Sequence, residues 1–158
     1  MGPQVGEGPP SASVRLVVRP EPNLLSTVRL VVATAGRRAG LDDEMVEDLK
    51  VAVSEICATA IRDTGGAGGN GDKDAEACIE VDLFDDRGRF GVEIRDRCAP
   101  DERALRDPFG SADDRDFGLA LVASLVDELD AADRPGGGFV TRFWLAPQGR
   151  QDGSGPTS

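Results

Sequence analysis

Apolar positions along the chain change their period several times, and each change marks an element. Val14-Arg-Leu-Val-Val-Arg reads as a short strand, ended by Pro20 and Pro22. Asn23 offers a helix start, and Leu24, Val28, Val31/Val32 and Ala35 then recur at helical spacing up to Gly40, with Arg29, Arg37 and Arg38 off that stripe. A second helix opens on Asp42-Asp-Glu, whose negative charge suits a helix N-terminus. It buries Val46, Leu49, Val53, Ile56/Cys57 and Ala60 and ends near Arg62. The segment 63–74 is Gly-rich and reads as a linker. A Walker loop there would need Gly-Lys-Ser/Thr and a following helix, whereas Lys73 precedes Asp-Ala-Glu-Ala and a strand.

Ala77 to Phe84 and Arg89 to Asp96 alternate as two strands, and Asp85-Asp-Arg-Gly between them is hairpin chemistry. Residues 101–116 have the composition of a lid. Phe117 to Leu129 reads as a helix with Leu119, Val122, Ala123, Val126 and Leu129 on one face, widened by Leu121 and Leu125. Arg134-Pro-Gly-Gly-Gly breaks it, and Phe139 to Leu145 forms a last strand with Phe139, Thr141, Phe143 and Leu145 on its core side. The order β-α-α-β-β-α-β predicts an α+β fold: a two-layer α/β sandwich with helices on one face of a mixed sheet.

At 158 residues the chain suits one domain, expected over 13–146, with a flexible arm at 1–12 and a polar, disordered tail at 147–158. The formal charge of -11 argues against nucleic acid and anionic membranes as partners, since both require clustered Lys and Arg. Histidine is absent, which removes His-based triads, His metal ligands and phosphohistidine chemistry. Cys57, Cys78 and Cys98 are odd in number and widely spaced, so neither a disulfide framework nor a zinc site is indicated, and a reducing cytoplasm fits. No signal peptide or membrane-spanning run is recognisable.

Two carboxylates stand out. Asp96 ends its strand on the face shared by Phe90, Val92 and Ile94, so it meets the core and needs a donor. The bland alternative is a strand-end Asp capping the turn through Ala99-Pro100. Glu55 lies roughly opposite the apolar stripe of the second helix, with Thr59 one turn away on nearly the same side. Its bland alternative is a solvated surface Glu.

The helix Lys50-Val-Ala-Val-Ser-Glu-Ile-Cys-Ala-Thr-Ala-Ile, the strand end Ile94-Arg-Asp and the run Phe117-Gly-Leu-Ala-Leu-Val resemble the GHKL (histidine kinase-like) ATPases, and among them the RsbW-type anti-sigma-factor serine/threonine kinases, over roughly Val14 to Leu145. The resemblance implies that Glu55 is the base toward an acceptor hydroxyl, that Thr59 stands where an Asn holds magnesium, and that Asp96 accepts from the exocyclic amine of adenine. Gly118 and Leu119 match the end of a Gly-x-Gly-Leu box. The chain departs from the family at Thr59, at Cys98 and Pro100 where glycines follow the Asp, at Asp116 in place of a box glycine, and at Phe139 in place of a Thr. Asp113, Asp114 and Asp116 cluster at the expected phosphate entrance, with Arg115 as relief.

The resemblance therefore implies a cytoplasmic regulator with ATP and Mg²⁺ as cofactors, weakly held or lost. Its partners would be a sigma factor or an anti-anti-sigma protein, engaged through Arg29, Arg37 and Arg38, and a homodimer is expected from resemblance alone. The competing function is a pseudo-enzyme that binds protein without nucleotide. An unrelated α/β domain with a small-molecule pocket is the third reading.

Overall fold

The computed structural model describes residues 12–63, 78–96, 111–134 and 138–147. Most of each segment expected as arm, linker, lid and tail lies outside them. Strand β1 (Val14–Val18) leads through a 3-10 turn at Pro22–Leu24 into α1 (Leu25–Arg38) and α2 (Asp43–Asp63). Next come β2 (Ile79–Asp86), β3 (Arg89–Asp96), α3 (Ser111–Leu125), β4 (Glu128–Asp133) and β5 (Phe139–Leu145).

Local chemistry sets the boundaries. Gly40, at φ +98°, turns the chain out of α1, and the Leu41 N–H donates to the Gly36 carbonyl at 3.0 Å. Asp42 caps α2 by accepting from the Met45 N–H at 2.8 Å. Positive φ at Arg87 and Gly88 gives β2 and β3 a tight hairpin with the register Asp86↔Arg89.

The sheet order is β1-β2-β3-β5-β4. Helices cover one face, where Val46, Leu49, Val53, Ile56 and Cys57 of α2 share a core with Val81, Leu83, Val92, Ile94, Phe143 and Leu145. The two-layer α+β sandwich expected from the sequence is therefore present. Two details differ. Helix α3 stops at Leu125, and Glu128–Asp133, its first two residues expected as helix, is an edge strand hairpinned to β5. Val126 and Leu129, three apart, suit a helix face, but beyond Leu125 the pattern is alternation: Leu129 and Ala131 are half-buried while Glu128 and Asp130 are exposed. Asp127 anchors the reversal, donating its N–H to the Trp144 carbonyl and accepting the Ala146 N–H at 2.7 Å.

This extra strand also explains why the sheet is antiparallel at every described pairing rather than mixed. A helix leading directly into the last strand would lay it parallel to β3. Insertion of β4 reverses the chain once more, and β5 meets β3 antiparallel.

The opposite sheet face carries charge instead of helices. Arg15, Asp82, Glu93, Arg142 and Asp130 lie side by side across the five strands. Asp82, 2% exposed, accepts from Arg15 at 2.7 Å and Arg95 at 2.8 Å, and Arg95 also donates to Glu80 and Glu93. Burial alone would raise the Asp82 pKa, but the Arg15 and Arg95 hydrogen bonds outweigh it and hold the carboxyl below its usual range. Among the described residues no helix is long and apolar enough to cross a membrane.

Candidate functional site

A cleft of about 370 Å³, mouth included, opens between α2, α3 and the ends of β3 and β5. Helix α2 contributes Glu55, Ile56, Thr59 and Ala60; β3 contributes Ile94 and Asp96; α3 contributes Arg115, Gly118 and Leu119; β5 contributes Phe139 and Thr141. Five residues singled out from sequence, Glu55, Thr59, Asp96, Gly118 and Leu119, thus meet in one place although they come from three elements distant along the chain. Arg29, Arg37 and Arg38 lie elsewhere, on α1; Arg37 and Arg38 occupy its last turn, where positive charge complements the helix dipole.

Asp96 is 5% exposed, and its burial has a donor: the Phe139 backbone N–H reaches Oδ1 at 2.8 Å. Arg134 donates to the Asp96 carbonyl at 3.4 Å. The approach of β5 depends on Gly138, at φ +93°, because a Cβ there would collide with the Asp96 carbonyl oxygen and come 3.0 Å from Oδ1. The Phe139 side chain lacks the hydroxyl expected at its position, yet the contact to Asp96 uses its backbone, which any residue but proline supplies. A hydroxyl still lines the cleft two residues on, at Thr141, which is 2% exposed.

On the other side, α3 passes close to α2 at Gly118. A Cβ there would sit 3.0 Å from Glu55 Oε1, so the glycine makes room for this carboxylate. Glu55 is half-buried at the cleft wall, not a fully solvated helix residue. Thr59 is engaged in a way the sequence reading missed. Its hydroxyl donates to the Glu55 carbonyl at 3.0 Å and accepts from Arg62 Nη2 at 3.1 Å. A hydroxyl with its proton committed to backbone and a guanidinium on one of its two lone pairs is a poor ligand for a divalent cation, which the neighbouring positive charge also repels. Thr59 as the metal residue is not supported by this geometry.

Only part of the expected phosphate entrance falls on described side chains. Asp116 is exposed and is not among the lining residues, whereas Arg115 is, with Cζ 4.3 Å from the centroid of the Phe139 ring. Cys98 and Pro100 lie outside the described residues, as do the side chains of Asp113 and Asp114. Arg62, one turn after Thr59 on a helix already evident in the sequence, was accessible to sequence reasoning, whereas Arg115 fell in the expected lid because the helix was expected to open only at Phe117. The Arg115–Phe139 pairing is a long-range contact with no local signal.

Comparison with known proteins agrees with this geometry. Residues 18–144 match the family model described as histidine kinase-like ATPase domain. Serine-protein kinase RsbW of Bacillus subtilis is 31% identical over 131 residues, 78% of this chain and 79% of the relative. The chain belongs to the RsbW-type histidine kinase-like ATPase family. Serine-protein kinase RsbW of Listeria innocua is 25% identical over 126 residues, 73% of this chain and 76% of the relative. Among solved structures, the SiaB–SiaC complex of Pseudomonas aeruginosa aligns with a TM-score of 0.60 at 14% identity, covering 85% of this chain and 89% of the other. The structure of the RsbU and RsbW domains of Rv1364c from Mycobacterium tuberculosis aligns with a TM-score of 0.56 at 20% identity, over 85% of this chain and 32% of that longer one. Both structural likenesses concern the fold.

Proposed function

We propose that this RsbW-type chain binds ATP in the cleft, adenine against Asp96 and phosphates toward Glu55, and acts as an anti-sigma-type regulator whose partner is an anti-anti-sigma protein. The observation that carries the reading is the convergence of Asp96, Glu55 and Gly118 on one cleft. A buried carboxylate at one end suits an amine of the base, and a second, half-buried carboxylate at the other suits an attacking hydroxyl. The acceptor is a Ser or Thr hydroxyl of the partner: its oxygen attacks the terminal phosphorus, Glu55 takes its proton, and ADP leaves. The relatives named serine-protein kinase, and the SiaB–SiaC structure as a complex of two proteins, support a protein acceptor. Sigma-factor binding and contact through Arg29, Arg37 and Arg38 belong to the same proposal.

One observation favours a second reading, in which the fold binds protein without nucleotide: the Thr59 hydroxyl is tied to backbone and to Arg62. Calorimetric titration with ATP of wild type and Asp96→Asn decides between the two. Binding that is lost in the variant supports the nucleotide site. No heat at millimolar ATP in either protein leaves protein capture as the function.

A further inference from the structure

Charge in the cleft is unevenly distributed. Glu55 and Asp96 are its two acidic residues, and Arg115 is the basic one among the described lining residues. Along α3, Arg115 precedes Gly118 by one turn, and Gly118 abuts Glu55 while Phe139, under the Arg115 guanidinium, donates to Asp96. Arg115 therefore stands between the two carboxylates, where a nucleotide spanning them carries its ribose and first phosphates. At the Glu55 end the nearby positive charge is Arg62, held 3.1 Å from the Thr59 hydroxyl. That hydroxyl is tied to the Glu55 carbonyl, and a guanidinium beside it repels a second cation.

From this arrangement we infer that the cleft neutralises nucleotide phosphates with the guanidinium groups of Arg115 and Arg62, so polyphosphate binding does not depend on magnesium. The inference rests on the nucleotide-site reading and adds its cofactor requirement. Guanidinium forks match phosphate oxygens with paired, charge-assisted hydrogen bonds, and Phe139 holds the Arg115 fork in place by stacking. Arg62 is exposed and hydrogen-bonds to Thr59, which lines the cleft, so its long side chain can turn to the terminal phosphates without desolvation of its own.

The test titrates the full chain with ATP in excess EDTA and again in excess magnesium, and repeats both with Arg115→Ala and Arg62→Ala. Affinities in the two buffers are expected to agree within about fivefold, and each substitution is expected to weaken ATP about tenfold in EDTA. Adenosine, which has no phosphate, serves as the second probe, and its affinity is expected to survive both substitutions. ATP affinity that rises more than about fivefold with magnesium overturns the inference and leaves the nucleotide site standing. Equal losses for ATP and adenosine in the variants also overturn it, because the arginines then act on the base or the fold. No ATP binding in either buffer sinks the nucleotide-site reading itself.

Discussion

Replacing Gly138 by alanine attacks the joint that holds Asp96. Two separate costs follow from the geometry. At φ +93° an L side chain is strained by about 1–2 kcal/mol. The added Cβ also collides with the Asp96 carbonyl oxygen, so β5 must withdraw and the Phe139 N–H loses its side-chain acceptor on Asp96, worth about 1.5–3 kcal/mol. Together these give about 2.5–5 kcal/mol, a large fraction of the stability of a domain this size. Gly40→Ala provides the control, because Gly40 sits at φ +98° with nothing within 4 Å of the added atom and bears the strain alone. Thermal and urea unfolding, followed by Trp144 fluorescence and circular dichroism, should place Gly138→Ala about 1.5–3 kcal/mol below Gly40→Ala, or about 3–12 °C lower in Tm. If the two variants unfold together, the Asp96–β5 contact is not energetically significant and the positioning of Asp96 argued above fails.

Other expectations are as direct. Asp82, whose pKa is lowered in the folded state, contributes stability that is complete above its unfolded value of about 4 and is lost as pH falls through the lower folded value; urea midpoints at pH 6, 4 and 3 should drop more steeply for wild type than for Asp82→Asn. Cys57 is buried, which pushes its thiol up to about 12, so iodoacetamide at pH 8 should leave it unmodified in the native protein and label it in urea, as read by peptide mass; native labelling would contradict the packing of α2. Gly91→Ala should displace the Trp144 ring that lies over it, changing Trp fluorescence and costing about 1–3 kcal/mol; an unchanged spectrum would refute the contact.

Much of this was readable along the chain, for identifiable reasons. The period of two in β3 put Asp96 on the core side, and the 3.6-residue period of α2 put Glu55 and Thr59 together, because both elements are long and strongly patterned. Strand β4 was hidden because Val126 and Leu129, three apart, continue the helical stripe of the preceding residues, and the antiparallel sheet followed from that one strand. In the cleft, the resemblance directed attention to the side-chain hydroxyl missing at Phe139. The structure instead uses the Phe139 amide, a backbone group no sequence pattern displays. The same holds for Arg115, whose neighbour across the cleft is set by tertiary packing, while Arg62 beside Thr59 is a helical i,i+3 pair.

Amide chemical-shift mapping during an ATP titration tests the central claim most directly. The nucleotide-site account predicts the largest shifts at Phe139, Gly118 and Thr59, with α1 unaffected. Shifts confined to α1 or to the charged sheet face, or none at all, would contradict it.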